Sequence, residues 1–318
     1  MTSEGEDFRR VADRVLAELS QPIFPAAEAA CRDLLAAHPG AAAILFYGSC
    51  LRSGADDDKI LDFYVLADDL AEANGSALLG FFNRVLPPNV FYRETPFEGR
   101  MVRTKYALMS TEGFAESMRL DCLNPSFWAR FAQPCALAWV RDPRTGGLVA
   151  DAVAQAVITA VSTVAPVHPS PFTPDELWSH VFQMTYAAEF RSENAATKGG
   201  EIFREYPDRY RELAVPAMRA SGIEVSVDEH GFLRTAVPAS RARQEIGRWR
   251  TRRLQGKTLS LLRLIKGAFT FTGGLDYLAW KMRRHSGVDI KIKPWHRRHP
   301  IIGGLVLIRK ARRKGGFR

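Results

Sequence analysis

The sequence predicts a mixed α/β (α+β) fold followed by a helical region and a basic end. Three observations carry that expectation. Two short apolar runs, "AAAILFY" (41–47) and "ILDFYVLA" (60–67), flank a polar Gly-Ser loop and read as buried strands. Amphipathic helical spacing precedes them, with Phe8, Val11, Val15 and Leu19 on one face. A proline-rich stretch, "VHPSPFTP" (167–174), separates this part from a second one that opens on a helix start signal.

Element by element, helices are expected over 6–20 and 25–37, the latter stopping near "HPG". The strands 41–47 and 60–67 follow, then a helix over 70–85. "NVFYR" and "GRMVRTKYALM" alternate as strands, the second beginning after the turn signal Glu98-Gly99. Short helices are expected at 111–120 and 125–132, and a strand at 135–141. In the second part Thr173 reads as an N-cap, Pro174 as the first helical residue and Glu176 as the return arm of a capping box. Leu177, Val181, Met184 and Ala188 then continue an amphipathic helix over 174–191. The expected organisation is 1–166, 173–266 and a basic amphipathic segment 267–318, with no internal repeat.

Composition narrows the function classes. Four scattered cysteines (Cys31, Cys50, Cys122, Cys135) form no CxxC pair, so a disulfide framework or zinc knuckle is not expected. No secretory leader is expected at the start, and no apolar run is expected to reach the ~20 residues of a membrane span. The net charge of +9 is unevenly spread. Residues 241–318 hold 22 Lys and Arg against three acids, a net +19; the remaining 240 residues hold 22 against 32, a net −10. An acidic body with a strongly basic end implies a polyanionic partner, either nucleic acid or an anionic membrane.

The chemistry centres on "YGSCLRSGADDDKILDFYVLADD" (47–69). Gly48 permits close approach of backbone N–H groups to a phosphate, and the Ser49 hydroxyl can bond a phosphate oxygen. Asp62 stands in an apolar strand, where a carboxylate without a partner is costly. A Gly-Ser turn after one strand and an acid on the next is the pattern of polymerase-β-like nucleotidyltransferases. Those proteins place a second acid two residues on; here that position is Tyr64. Asp68 and Asp69 could supply the missing carboxylate, or could cap the following helix. His296 and His299 sit among Arg and Lys, and Cys50 has no histidine near it in sequence, so neither suggests a metal site or a nucleophile.

Five ordered blocks between about 44 and 280 sharpen this. They are "FYGSCLRSG…ILDFYVLADD", "PPNVFYRETPFEGRMVRTKYALMST", "FWARFAQPC", "MTYAAEFRSENAATKGGE" and "IKGAFTFTGGLDYLAWKM". Together they resemble the mitochondrial-type phosphatidate cytidylyltransferases, the translocator assembly and maintenance family. Departures from the family pattern are Cys50 and Ala107 in place of glycines, Glu189 in place of aspartate and Gln133 in place of lysine before Pro134. The resemblance implies a nucleotidyltransferase domain, a helical winged-helix-like domain and a membrane-binding C-terminus. It implies CTP and phosphatidic acid as substrates, CDP-diacylglycerol and pyrophosphate as products, and magnesium as cofactor.

Mapped onto this chain, Asp62, Lys105 and Glu189 are the expected catalytic residues. Tyr47, Gly48, Ser49, Arg130 and Arg191 are expected to hold nucleotide phosphates. Asp62, Asp68 and Glu189 are the candidate magnesium ligands. Lys105 could instead snorkel, Arg130 could be a helix-end surface residue, and Glu189 with Arg191 could belong to an ion-pair network. Beyond 266, Phe269, Phe271, Leu275, Tyr277, Leu278, Trp280 and Met282 interleave with Lys281, Arg283 and Arg284. Aromatic and basic residues together suit an anionic bilayer rather than nucleic acid. The implied location is peripheral, on the cytoplasmic face of a bacterial inner membrane or the matrix face of a mitochondrial one. A nucleotidyltransferase acting on RNA or a small molecule, and a non-catalytic membrane-associated assembly factor, are the alternatives.

Overall fold

The structure, a computed structural model, describes residues 3–55, 59–189 and 195–270, with 292, 293 and 295. Arg191 and the segment from 271 onward, apart from those three residues, therefore lie outside the described residues. Helices α1 (Ser3–Leu19) and α2 (Pro25–Ala37) lead into β1 (Ala41–Tyr47), the short α3 (Ser49–Ser53) and β2 (Ile60–Ala67). Then come α4 (Leu70–Ala73), α5 (Ala77–Val85), β3 (Asn89–Phe97), β4 (Arg100–Ser110), α6 (Thr111–Glu116), α7 (Pro125–Phe131) and β5 (Cys135–Val140). Helix α8 (Pro143–Val164) ends the first part, and the second part holds α9 (Pro174–Ala188), α10 (Ala195–Glu205) and α11 (Pro207–Ala220). It closes with a small hairpin, β6 (Val225–Val227) and β7 (Leu233–Thr235), and the long α12 (Ala239–Thr270).

The fold is mixed α/β. Five strands form one sheet in the order β3-β4-β2-β1-β5, with β2 and β4 parallel and the other neighbours antiparallel. Strand alternation sorts the central side chains onto two faces. Ile44, Phe46, Leu61, Phe63 and Val65 pack with Ala26, Ala27, Ala30 and Leu34 of α2. Phe46 and Phe63 stack 4.8 Å apart, and burying each ring contributes about 1.5–3 kcal/mol. Ala43, Leu45, Tyr64 and Leu66 face the larger cluster formed with α1 and the helices after β5. Asp62 is in phase with Tyr64 and so lies on that second face.

Most expected elements are present, and the differences have local causes. The helix expected over 70–85 is two helices, because Asn74-Gly75-Ser76 breaks it: Gly75 takes φ 63° and Ser76 caps α5. Glu98 and Gly99 form the β3–β4 hairpin with φ 48° and 75°, the conformation that a two-residue primed turn requires. Thr173 and Glu176 make the expected capping box. Helix α8 was not expected at all. Asp142 caps it, Pro143 starts it, and 15 of its 22 residues are buried, so no polar stripe marks it. With the following turn, Pro143–Val167 reaches a mean hydropathy of 1.7 over its most apolar window, enough by length and composition to cross a membrane. This corrects the expectation that no such run exists; here 83% of that window is buried inside the fold.

The two parts share one buried cluster, which includes Val11 and Val15 of α1, Val157 and Val161 of α8, and Tyr210 and Leu213 of α11. Arg209 of α11, 3% exposed, donates to Glu18 at 2.7 Å and to the Ala132 carbonyl at 2.9 Å. Helix α12 crosses the end of α9 so closely that a Cβ at Gly256 would stand 2.3 Å from the Ala188 oxygen. The crossing lies next to Glu189, the residue that caps α9.

Candidate active site

The site is assembled by strand register. Tyr47 at the end of β1 lies opposite Asp62 on β2, and Asp62 lies opposite Lys105 on β4. Neighbouring strands thus present Tyr47, Asp62 and Lys105 side by side on one face. The Lys105 ammonium sits 2.8 Å from Asp62 Oδ1. The acid that the sequence places in an apolar strand therefore has a charged partner.

Gly48 follows directly. It adopts φ 92°, a region that favours glycine, and a Cβ there would stand 3.2 Å from Asp62 Oδ2. Both observations tie Gly48 to Asp62 rather than to a generic turn. Ser49 opens α3, and the first turn of that helix brings Arg52 back beside the Gly-Ser corner, where it pairs with Glu205 of α10. Cys50 points inward, 99% buried, with its thiol on the Ile60 carbonyl at 3.3 Å. That is a packing role.

Tyr64 explains its own presence. Its ring is buried against Tyr47 and Phe131, and its hydroxyl accepts from Arg130 at 2.8 Å. The Arg130 guanidinium also lies 5.6 Å from the Tyr47 ring centre. Burial opposes its charge. The nearby Tyr64 and Tyr47 hydroxyls and the Glu189 and Asp62 carboxylates outweigh that, so its pKa lies above the ordinary value. Where a second carboxylate would stand two residues after Asp62, this chain has the support for an arginine.

These groups line one open cleft of about 340 Å³ between the sheet and α9. Tyr47, Gly48, Ser49, Asp62, Lys105, Arg130 and Glu189 all border it, so seven of the nine residues singled out in the sequence come together. Gln133 and Pro134 also border it. The sequence reading missed Arg52, Ser126, Thr185 and Tyr186. Arg52 was legible in principle, since a helix starting at Ser49 carries residue 52 back over its own first turn.

Asp68 is a correction. It lies at the other end of β2, roughly 20 Å along the strand from Asp62. Its Oδ1 accepts from Thr111 at 2.9 Å and its Oδ2 from Arg141 at 2.8 Å, bonds that hold its pKa below the usual carboxylate value. It cannot join Asp62 on one ion. Asp69 is a helix cap, accepting from the Ala71 and Glu72 amides at 2.7 and 3.0 Å.

Among the described residues no group of three or more His, Cys, Asp or Glu side chains clusters in metal-binding geometry. The cleft instead offers two carboxylates, Asp62 and Glu189, and the Ser49 hydroxyl. Magnesium is commonly held by one or two carboxylates with water and substrate phosphates completing the shell, so this donor set fits it. Lys105 and Arg130 face those two acids, and Arg52 borders the same cleft while paired with Glu205. No protein-family model matches the chain, and no curated protein is significantly similar to it. The residues define a cleft on a mixed sheet, lined by cations and carboxylates.

Proposed function

We propose that the protein is a magnesium-dependent phosphatidate cytidylyltransferase, joining CTP to phosphatidate to give CDP-diacylglycerol and pyrophosphate. The observation that carries the reading is the convergence of the Gly48 turn and Asp62, with Lys105, Arg130 and Glu189 around the same cleft. On this reading the sheet domain is a polymerase-β-like nucleotidyltransferase, and the second part, with its small β6–β7 hairpin, is its winged-helix-like companion. The protein is peripheral to the membrane, and its basic C-terminal segment holds it there.

Phosphoryl-type transfer asks mainly for positioning and charge neutralisation. The Gly48 turn and the Ser49 hydroxyl receive the triphosphate. Lys105 acts as a point charge, and Arg130, pre-oriented by Tyr64, presents a rigid fork to phosphate oxygens. Asp62 and Glu189 would hold magnesium, which when bound neutralises charge building on the phosphates. A phosphatidate phosphate oxygen attacks the α-phosphorus of CTP, and the bond to the β-phosphate oxygen breaks to release pyrophosphate. The attacking phosphate is already anionic near neutral pH, so no strong general base is needed.

Purified protein with CTP, magnesium and vesicles containing phosphatidate should release pyrophosphate, and Asp62→Asn should not. Absence of release from the wild type, or full activity in the variant, ends the reading. The basic surplus also suits a polynucleotide acceptor; release with RNA but not with vesicles would favour that instead.

A further inference from the structure

Helix α5 has its amphipathicity inside out. The residues it turns toward the body are Gly80, which packs so close to α4 that a Cβ would stand 3.0 Å from the Ala71 Cα, and Asn83. Asn83 is fully buried and donates to the Leu108 carbonyl at 2.8 Å. Asn89 donates to the Leu79 carbonyl at 3.0 Å. These polar contacts lock the rotation of the helix. As a result Leu78, Phe81, Phe82 and Val85 point outward, 64, 60, 41 and 64% exposed. Exposed apolar side chains grouped on one short helix mark a contact surface.

The surroundings say what contacts it. Helix α12 is pinned to the end of α5: Lys266 donates to the Leu86 carbonyl, to the Pro88 carbonyl at 2.8 Å and to Asn89 Oδ1 at 2.9 Å. Arg263 donates to the Pro87 carbonyl at 2.9 Å and to Ser126 Oγ at 3.3 Å, and Ser126 borders the cleft. Helix α12 thus lies against the end of α5 at Lys266, and the 48 residues after Thr270 carry 13 bases against two acids with aromatic residues interleaved. An exposed apolar face in a chain that also carries such a polybasic segment matches one surface with both an anionic skin and an apolar interior, a bilayer. Arg84 adds a further cation on α5 itself.

We propose that α5 is a second lipid-contact element, seating Leu78, Phe81, Phe82 and Val85 in an anionic bilayer. The proposal rests on the lipid-acceptor reading above.

The test is flotation of the full chain with phosphatidylcholine vesicles containing phosphatidate. The double variant Phe81→Gln/Phe82→Gln should partition at least about tenfold more weakly, since each ring contributes apolar burial in the interface. Its melting temperature and its binding of magnesium-CTP should match the wild type, because both side chains already face solvent. A second pair, Leu78→Gln/Val85→Gln, should weaken flotation in the same direction. Hydrogen exchange over 77–86 should slow only when vesicles are added. Unchanged flotation of both variants overturns the proposal. So does slow exchange without vesicles together with a lowered melting temperature, which would mean that protein already covers α5; so does a lipid-free dimer that the variants dissociate. Flotation that depends on Phe81 and Phe82 but no pyrophosphate release would sustain α5 and end the catalytic reading, so the two fail separately.

Discussion

The two ends of β2 each carry an aspartate, a basic partner on a neighbouring element and an adjacent hollow, yet they differ in what is left over. At the Asp68 end both carboxylate oxygens are occupied, by Thr111 and Arg141, and Asp142 shares the same arginine. Two carboxylates thus share one guanidinium, and the Arg141–Asp68 pair is about half exposed. At the Asp62 end, Lys105 holds one oxygen, and the other faces the Gly48 position that no side chain fills. Arg52 and Arg130 add positive charge from other elements. An acid with both oxygens bonded is a structural clip; an acid with one oxygen turned to bare backbone, inside a cleft lined by Lys105 and Arg130, is a place for a ligand.

The sharpest break of this comparison is a matched pair of substitutions. Asp62→Asn should lower pyrophosphate release by about a thousandfold, in line with losing a group that holds charge in the transition state. Asp68→Asn should leave release within about twofold and cost no more than about 1 kcal/mol of stability, the worth of an exposed ion pair. Steady-state rates and thermal melts on both decide it. Equal losses at the two ends would mean that the difference in saturation has no functional meaning.

Gly48→Ala attacks the bare backbone. The new Cβ meets Asp62 Oδ2 at 3.2 Å on a residue at φ 92°, so strain of about 1–3 kcal/mol is expected. Turnover should fall about a hundredfold while the fold persists, as circular dichroism would report. Gly54→Ala, also at positive φ but with nothing within 4 Å, is the control: it should cost stability without that loss.

How much of this was legible depends on whether the signal is local. The strands 41–47 and 60–67 and the Thr173–Glu176 capping box are written in neighbouring residues, and they stand where the sequence puts them. Helix α8 is buried on nearly all sides, so its Ala-Val pattern has no period to read. Helix α5 has a clear period, but only Asn83 and Gly80 reveal that its apolar side faces out. The sequence offered both Asp68 and Glu189 as partners of Asp62; the fold leaves Asp68 at the far end of β2 and brings Glu189, 127 positions away, to the cleft.

Tyr64→Phe tests a finer point. It removes only the hydroxyl that orients Arg130 and leaves the ring contacts with Tyr47 and Phe131 in place. A loss of about tenfold or less in kcat/KM is expected, the worth of one positioning hydrogen bond to a charged group. The loss should be carried mainly by KM for CTP. A loss as large as that of Asp62→Asn would give Tyr64 a part beyond support.

The smallest effect comes from the opposite face of the sheet, where no cleft residue sits. His38 donates from Nδ1 to the Ala73 carbonyl at 2.9 Å and accepts at Nε2 from the Tyr106 hydroxyl at 2.9 Å. Burial lowers its pKa below the usual 6.5, against the opposing pull of the Ala73 carbonyl. The folded chain refuses a proton that the unfolded chain accepts. The contribution of His38 to stability is therefore present above about pH 6.5 and is lost as pH falls through the folded value. Melting temperature should drop on acidification from pH 7.5 to 5.5, and His38→Gln should drop less over the same range, though it starts lower for want of one bond. Magnesium-CTP binding at pH 7.5 should be the same in both, because the histidine touches neither Asp62 nor Lys105. A variant that lost nucleotide affinity along with its acid sensitivity would show that the two faces of the sheet are coupled, and that the contrast between clip and site is not confined to the ends of β2.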